Sequence, residues 1–259
     1  MSDSAQFLTF PAFQMIESVT AATSTRIGGV SQKPYHSLNL AYHVDDCHEA
    51  VAENRQRFCD SLSIRLSSLV LSQQIHGDKI AVIDDSLAGR GSHDHEDALS
   101  GTDSMITNSR SVALAVMTAD CVPVLIVDPA RKAIGIAHAG WRGTLGMIAA
   151  KTVHKMRDTF GTEPADCIVA LGPSIGPCCY EVGEDLVSRF QQRFGPKVCI
   201  DGNRLDLKWA VETQLIGAGV KQRSISSGKF CTACNVDLFY SYRAEGGRTG
   251  RMMSVIKLI

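Results

Sequence analysis

The sequence predicts an α+β fold in a single domain that spans residues 1–259. Short apolar runs and longer amphipathic stretches are mixed along the chain, which predicts strands interspersed with helices. The central apolar runs follow one another across tight turns, instead of alternating regularly with helices as in a parallel α/β fold. No repeat, linker or change in composition divides the chain, and a hydrophobic fraction of 44% supports an ordinary globular core.

The segment 112–144 organises the predicted fold. Three runs rich in Val, Ile, Leu and Ala, at 112–117, 122–127 and 133–137, are typical of buried strands. A turn signal, Asp-Pro-Ala-Arg, separates the second run from the third. Because the two strands of a hairpin lie side by side, we expect Cys121 and His138 to come together at one end of a sheet.

Helices and further strands are predicted on both sides of this segment. The helix signals lie at 46–62, 144–160, 184–194 and 206–218, and the strand signals at 69–72, 79–83, 166–171, 197–200, 224–226 and 251–259. Asp46 and Glu49 have the spacing of a capping box for the first helix, and Gly161 is placed to end the second. The second helix begins close to His138, so its free N–H groups are expected to face the same site.

Composition excludes several classes of function. The formal net charge is −1 without a long run of one sign, which argues against a nucleic-acid-binding face. The N-terminal residues lack the pattern of a signal peptide, and no apolar run is long enough for a membrane helix. The nine cysteines are an odd number in a chain without an export signal. We therefore expect reduced thiols and a cytoplasmic protein that does not bind a membrane.

The first candidate site combines His76, Cys121 and His138. Three protein ligands with one open position are the arrangement of a catalytic zinc ion, which lowers the pKa of a bound water to about 7. The same residues also fit a cysteine hydrolase, with Cys121 as nucleophile and either histidine as base. Two imidazoles that converge on one sulfur favour the metal, but the residues alone leave both interpretations open.

Other polar motifs give weaker signals. Cys231 and Cys234 form a C-x-x-C pair, but a zinc site would need a second such pair, and none is found; two reduced cysteines are the expectation. The GSHDHED segment at 91–97, which includes His93 and His95, is interpreted as a solvated flexible loop. This single H-x-H pair among eight histidines also argues against a multicopper oxidase.

Three further residues are ambiguous. Arg26 beside a glycine pair fits either an anion site or a hairpin turn, and the local residues favour the turn. Asp103, just ahead of a buried strand, is either a hydrogen-bond acceptor for a ligand or a turn cap. Arg142 follows His138 closely enough to serve the same site.

A set of motifs in order gives a more specific signal. They are STRIGGVS (24–31), SLNL (37–40), QIHG (74–77), MTADCVPVLI (117–126), HAGWRG (138–143), LGPSIGP (171–177), YEVG (180–183), FYSYR (239–243) and TGRMMSVI (249–256). With these motifs the sequence resembles the YfiH family, also called the laccase-domain, polyphenol oxidase or peptidoglycan editing factor family, over nearly its whole length.

The resemblance implies a fold and an activity. The implied fold is a layered α/β/β/α sandwich with mixed sheets. The implied activity is that of a zinc enzyme, which cleaves adenosine, inosine and 5′-methylthioadenosine with phosphate and also deaminates adenosine. Copper is the alternative metal. The alternative functions are a polyphenol oxidase and a cysteine-type hydrolase or editing enzyme that acts on peptidoglycan precursors. The expected partners are a purine nucleoside and phosphate, with no nucleic acid, in a monomer or small homo-oligomer.

The resemblance also assigns roles to residues. It implies that His76, Cys121 and His138 are the zinc ligands. For the reaction at such a zinc ion, Cys121, His138 and Asp120 are the candidate catalytic residues. Asp120 or Asp103 is the candidate for proton transfer. The substrate-binding candidates are Arg26, Asp103, Arg142 and Arg243, and phosphate is expected at an arginine.

Three features depart from the family pattern. Ala244 stands where many members carry a second arginine, Cys178-Cys179 replaces less reactive residues, and the segment 91–97 resembles a local insertion. These departures concern the preferred substrate more than the metal site.

Overall fold

The computed structural model describes residues 4–259, which form five α-helices and thirteen strands. The helices are α1 His48–Ser61, α2 Trp141–Leu145, α3 Ile148–Phe160, α4 Glu184–Phe194 and α5 Leu207–Gly217. The strands are β1 Phe7–Thr9, β2 Val19–Ser24, β3 Leu69–Val70, β4 Ile80–Val82, β5 Ser104–Thr107, β6 Ala113–Thr118, β7 Val122–Asp128, β8 Ala133–Ala139, β9 Ile168–Leu171, β10 Cys199–Ile200, β11 Arg204–Leu205, β12 Ile225–Ser227 and β13 Met252–Leu258.

Two mixed sheets face each other in the middle of the molecule. The first has five strands in the order β1-β2-β13-β6-β3, and the second has six in the order β12-β9-β7-β8-β5-β4. Parallel pairs, β3 with β6, β4 with β5 and β9 with β12, occur beside antiparallel ones. The predicted α+β class with mixed sheets is therefore confirmed.

Side-chain alternation along the central strands explains the layers. On β7, Val122, Val124 and Ile126 pack against α3 and α5, whereas Leu125 and Val127 pack against the first sheet. On the far side of the first sheet, α1 packs in a third apolar cluster. Both faces of β7 are thus buried, which is why its sequence is a continuous apolar run. The order of layers is α1, first sheet, second sheet, then α3 and α5, as predicted for the sandwich.

The central hairpin forms in the expected register. β7 pairs antiparallel with β8, and Pro123 lies opposite His138. The Asp128 carboxylate accepts hydrogen bonds from the N–H groups of Ala130 and Arg131, which closes the turn. Cys121, which precedes β7, therefore lies at the same end of the sheet as His138.

The structure corrects the predicted second helix. The predicted helix at 144–160 consists of two helices, α2 and α3, interrupted at Met147, which has a left-handed φ of 65°. The helix that begins beside His138 is therefore the short α2. The predicted helix end at Gly161 is confirmed, because α3 stops at Phe160 and Gly161 has a left-handed φ of 70°.

The predicted cap of the first helix is wrong. Asp46 does not cap it, because α1 starts after Cys47 without a side-chain cap. The Asp46 carboxylate instead accepts hydrogen bonds from Ser31 and Asn39.

Four strands, β1, β2, β5 and β11, are absent from the strand signals of the sequence because they are short or rich in hydroxyl residues. Their buried hydroxyls are hydrogen-bonded within the core: Thr23 Oγ1 is 2.7 Å from Ser254 Oγ, and Ser104 Oγ is 2.8 Å from Thr152 Oγ1. Over residues 4–259, no helix has the length and apolar character needed to cross a membrane. The predicted lack of a signal peptide partly concerns residues 1–3, which lie outside the described residues.

Candidate metal centre and its cavity

Two loops and the end of strand β8 bring His76, Cys121 and His138 together. One ligand atom from each lies within 4.8 Å of the corresponding atoms of the other two, and we refer to this group as the metal centre. Two backbone conformations near it are unusual for residues with side chains, since His76 has a φ of 60° and Asp120 a φ of 96°. Such strain is characteristic of functional sites, where the surrounding structure compensates for it.

Asp103 fixes the geometry of the metal centre. Its carboxylate accepts hydrogen bonds from the backbone N–H groups of Ile75, His76 and Gly77 at 3.1, 3.0 and 2.8 Å. The same carboxylate lies 2.8 Å from Nδ1 of His138. With Nδ1 held by Asp103, Nε2 of His138 is the nitrogen available to a metal.

These contacts favour the interpretation of Asp103 as a cap of the turn over that of a residue that binds substrate. The residue is fully buried and its two oxygens already have four donors. It is a positioning residue for both histidines of the metal centre.

The metal centre favours a thiolate. Burial by itself would raise the pKa of Cys121, but the positive charge of His138 and hydrogen bonds from His138 and His76 outweigh it and lower the pKa to about 6. Burial likewise opposes the charged form of His138, but Cys121 and Asp103 raise the pKa of His138 to about 9. Thiolate is the form of cysteine that binds metals and acts as a nucleophile.

Gly140 leaves room for the metal centre. A Cβ atom at this position would lie 2.8 Å from Cδ2 of His76 and 3.1 Å from Sγ of Cys121. The first of these separations is shorter than side-chain packing allows. The glycine of the HAGWRG motif is therefore explained by close packing against two of the three residues of the metal centre.

We expect Gly140→Ala to weaken zinc binding about ten- to hundredfold, as for the loss of other supporting contacts around a metal. The added methyl group must displace the His76 ring or the Cys121 side chain. The zinc dissociation constant, measured by competition with a chromogenic chelator, tests this. Gly183→Ala is the matched control, because a Cβ there meets nothing within 4 Å. Equal dissociation constants for the two variants would contradict the expectation.

The metal centre lies in the wall of a cavity of about 560 Å³, a volume typical of small-molecule sites. Its other lining residues combine aromatic or apolar side chains with cations and polar groups: His43, Gln74, His95, Met117, Thr118, Ala119, Asp120, Trp141, Tyr180, Tyr242, Arg243 and Arg251. This combination can bury a flat apolar ligand and neutralise an anion beside it.

Asp120 faces this cavity but is held by protein donors. Its Oδ1 accepts a hydrogen bond from Thr232 Oγ1 at 2.6 Å, and its Oδ2 accepts one from the backbone N–H of Arg243 at 2.7 Å. Each carboxylate oxygen can accept a second hydrogen bond. Asp120 is thus a fixed carboxylate beside Cys121 that can still accept a hydrogen bond from a ligand.

Two of the predicted arginines lie elsewhere. Arg26 lines a different cavity and is bound to the carboxylate of Glu245 at 3.0 Å and to the carbonyl oxygens of Val236 and His36. Arg142 is exposed and lies over the ring of Trp141, outside the lining of the site cavity. Arg26 is already neutralised by Glu245, and Arg142 is not among the residues that line the cavity of the metal centre.

The structure places the remaining predicted arginine, Arg243, in the cavity wall. Its Nη1 donates to the carbonyl oxygen of Glu181 at 2.8 Å, and its guanidinium lies over the ring of Tyr180. Sequence reasoning missed a second cation here, Arg251, which directly follows Thr249-Gly250 in the TGRMMSVI motif. Arg251 opens the segment 251–259 that the sequence predicts to be a strand, so no local signal marks it as a site residue.

Two histidines of the cavity were also missed or undervalued. His43 follows the SLNL motif, and its ring centroid lies 5.0 Å from that of His95. Burial, with help from Arg251, lowers the pKa of His43 to about 3, so this ring is neutral at physiological pH. The segment 91–97 was predicted to be a solvated loop, but His95 lines the cavity and Arg55 binds the carbonyl oxygens of residues 91 and 92.

The site can be compared with known proteins. Residues 20–259 match the family model described as multi-copper polyphenol oxidoreductase laccase. The chain is similar to the purine nucleoside phosphorylase YlmD of Geobacillus stearothermophilus, with 38% identity over 91% of this chain and 89% of that protein. It is also similar to the adenosine deaminase RL5 of an unknown prokaryotic organism, with 33% identity over 93% of each chain. The solved structure of the Bacillus licheniformis hypothetical protein YfiH has a TM-score of 0.93 and 36% identity, over 100% of this chain and 97% of that one.

Proposed function

This chain belongs to the multi-copper polyphenol oxidoreductase laccase family, as its motifs predicted, and from that premise we propose that it is a zinc-dependent purine nucleoside phosphorylase. The proposed reaction joins phosphate to the pentose of adenosine, inosine or 5′-methylthioadenosine and releases the base. Deamination of adenosine is the proposed second activity of the same cavity. The names of the relatives support an enzyme that acts on purine nucleosides.

One observation supports this function most strongly. Two imidazoles and a thiolate converge at the wall of a cavity that also contains Arg243 and Arg251. The donor set fits zinc, since nitrogen and sulfur ligands in a group of three leave one position for substrate or water. Asp103 gives His138 the orientation that such a ligand requires.

In this proposal His76, Cys121 and His138 hold the metal. When bound, zinc supplies Lewis acidity towards an oxygen of phosphate or water. The protein supplies the rest: it fixes the ligands through Asp103 and Gly140, and it surrounds the substrate with a partly apolar wall. The volume of about 560 Å³ is large enough for a nucleoside.

The aromatic side chains Trp141, Tyr180 and Tyr242 are proposed to contact the purine and ribose, since their faces offer apolar area. Arg243 and Arg251 are proposed to bind phosphate. A guanidinium carries five N–H donors, of which the contact of Arg243 with Glu181 uses one. Asp120 is proposed to exchange a proton with the purine, because it is a carboxylate that faces the cavity beside Cys121.

The proposal is tested with purified zinc-loaded protein, adenosine and phosphate. We expect adenine and ribose 1-phosphate as products of phosphorolysis and inosine as the product of deamination. Omission of phosphate must abolish the first pair of products and leave inosine. If zinc-loaded protein forms none of these products from adenosine, inosine or 5′-methylthioadenosine, the proposed function is wrong.

We expect Arg243→Ala to raise the KM for phosphate about ten- to hundredfold. A hydrogen bond to a charged group contributes about 1.5–3 kcal/mol, and each 1.4 kcal/mol corresponds to a factor of ten. The backbone N–H that binds Asp120 remains in the variant. Initial rates at varied phosphate measure the effect. Arg248→Ala is the control, since Arg248 is an exposed cation that lines a different cavity. An unchanged KM would exclude Arg243 from the phosphate site.

A cysteine hydrolase is the second candidate, because Cys121, His138 and Asp103 also form a nucleophile, a base and an orienting carboxylate. Metal removal distinguishes the two. A phosphorylase loses activity when zinc is chelated, whereas a hydrolase retains activity and is inactivated by a thiol-alkylating reagent. An oxidase that uses several copper ions is not favoured. Within residues 4–259, the two groups of potential ligands are the metal centre and a set of four cysteines.

A further inference from the structure

Four cysteine thiols form a second cluster next to the cavity wall. The Sγ atoms of Cys178, Cys179, Cys231 and Cys234 all lie within 4.8 Å of one another, and we call this group the cysteine cluster. Cys234 Sγ is 3.5 Å from Cys178 Sγ and 3.3 Å from Cys179 Sγ. The sequence offered no second C-x-x-C pair, but the fold supplies an adjacent Cys-Cys pair from 55 residues away.

The spacing of these sulfurs suits one metal ion. Zinc binds thiolate sulfur at about 2.3 Å in a tetrahedron, which places the four sulfurs about 3.8 Å apart. The two closest observed separations, 3.3 and 3.5 Å, are slightly shorter than that value, and all the other pairs lie within 4.8 Å. Four thiols of which two are exposed would have no packing reason to converge on one point, whereas a shared ion explains why both pairs face it.

Hydrogen bonding and charge around the cluster also suit bound thiolates. The backbone N–H of Gly176 donates to Sγ of Cys231 at 3.2 Å, as expected for a sulfur that carries negative charge. Lys208 interacts electrostatically with Cys231 and Cys178, and its Nζ is anchored to the carbonyl oxygens of residues 228 and 230. Lys208 thus holds a positive charge near the cluster. Four thiolates carry more negative charge than one divalent ion neutralises, so this nearby cation would stabilise the occupied site.

We propose that Cys178, Cys179, Cys231 and Cys234 bind one zinc ion in a closed structural site, separate from the metal centre of the cavity. Four protein ligands without an open position are the arrangement of structural zinc. Binding releases the thiol protons to solvent, and no bond to carbon is made or broken.

The proposed site joins two segments that shape the cavity. The loop that carries Cys178 and Cys179 leads directly into Tyr180, and the segment of Cys231 and Cys234 leads on to Arg243. The two segments already meet through a hydrogen bond from the Thr232 N–H to the Ser174 carbonyl oxygen at 3.1 Å. Thr232 in turn donates to Asp120. A zinc ion here would fix Asp120, Tyr180 and Arg243 relative to one another.

Zinc content per chain tests the proposal. The protein is purified under reducing conditions, and zinc is measured by elemental mass spectrometry beside protein concentration. We expect two equivalents in the wild type, one in Cys121→Ser, one in Cys234→Ser and none in the double variant. Cys47→Ser, an exposed cysteine outside both groups, is the control and should keep two. A Cys121→Ser protein without zinc would overturn the proposal.

The same measurement separates this proposal from the proposed function. If only the cysteine cluster binds zinc, the wild type holds one equivalent, which Cys121→Ser keeps and Cys234→Ser loses. If only the metal centre binds zinc, the wild type again holds one equivalent, but Cys121→Ser loses it and Cys234→Ser keeps it. Circular dichroism is used to check that Cys234→Ser is folded, which is the expected result because Cys234 is exposed.

A second measurement on the Cys121→Ser protein does not depend on altering the cluster. Cobalt exchanged for zinc should give the intense thiolate-to-metal charge-transfer band and visible absorption of a tetrahedral tetrathiolate site. Native mass spectrometry should show all four cluster thiols in the reduced form. A mass lower by two hydrogens without bound metal, with peptide mapping that places the disulfide within the cluster, would overturn the zinc assignment, as would bound iron in place of zinc.

Discussion

Cys121→Ser is expected to remove one zinc equivalent per chain and to lower kcat/KM for phosphorolysis by about 10³-fold. A metal contributes several kcal/mol of charge stabilisation in the transition state, and each 1.4 kcal/mol is a factor of ten in rate. The serine hydroxyl is a weak ligand that stays protonated at neutral pH, so two histidines alone must hold the ion. Zinc content and initial rates with adenosine and phosphate are the two measurements.

The control for this substitution is Cys199→Ser. Cys199 is a half-buried cysteine on β10 and belongs neither to the metal centre nor to the cysteine cluster. It should keep the zinc content and activity of the wild type. Full activity of Cys121→Ser in the presence of a strong chelator would show that zinc at this position is not required, and the proposed mechanism would then fail.

The same thiol also tests the second candidate. In a cysteine hydrolase, Cys121→Ser would abolish activity, and the activity of the wild type would not depend on its zinc content. In the phosphorylase proposed here, loss of activity and loss of one zinc equivalent must occur together. Added zinc at high concentration should then restore part of the activity of the variant, whereas a missing nucleophile could not be replaced in this way.

The hairpin at the centre of the fold was predictable because its signal is local. β7 and β8 are continuous apolar runs separated by a turn in which Asp128 binds the next N–H groups, and both features are visible in the sequence. The convergence of Cys121 and His138 follows from that register. His76 is different, since its place depends on a bend that Asp103 holds from 27 residues away.

The parts that escaped prediction depend on contacts between distant segments. Asp103 looked like a ligand acceptor because its donors, three consecutive N–H groups, carry no side-chain signal. Arg26 beside two glycines fitted either a turn or an anion site, and only the fold reveals that Glu245 neutralises it. The cysteine cluster unites pairs that come from separate loops, so spacing along the chain could not identify it. In each case the decisive partner lies far away in sequence.

Asp103→Asn is expected to lower zinc affinity at the metal centre by about a hundredfold, the upper end of the range for partners of metal-bound histidine. Asparagine has nearly the same size, but one of its two terminal groups is an NH₂ donor. The Asp103 carboxylate is the acceptor in three hydrogen bonds from backbone N–H groups and contacts Nδ1 of His138 as its fourth partner. Neither orientation of the amide can satisfy them.

If the amide nitrogen takes the place of Oδ2, it faces the N–H groups of Ile75 and Gly77, and two buried donors lose their acceptor. Each such loss costs about 1–3 kcal/mol, and the bend that carries His76 is loosened. If the nitrogen takes the place of Oδ1, it donates to Nδ1 of His138. The proton of that ring then moves to Nε2, the nitrogen needed for the metal.

Two readouts distinguish this positioning role from a general loss of stability. The zinc dissociation constant should rise while circular dichroism of the zinc-saturated variant matches the wild type. The KM for phosphate should stay unchanged at saturating zinc, since the arginines of the cavity are not altered. Asp78→Asn is the matched control, because Asp78 lies on the loop that carries His76 but is exposed and pairs with Lys151. Equal zinc affinity in Asp103→Asn and Asp78→Asn would show that the carboxylate of Asp103 does not orient His138 for a metal.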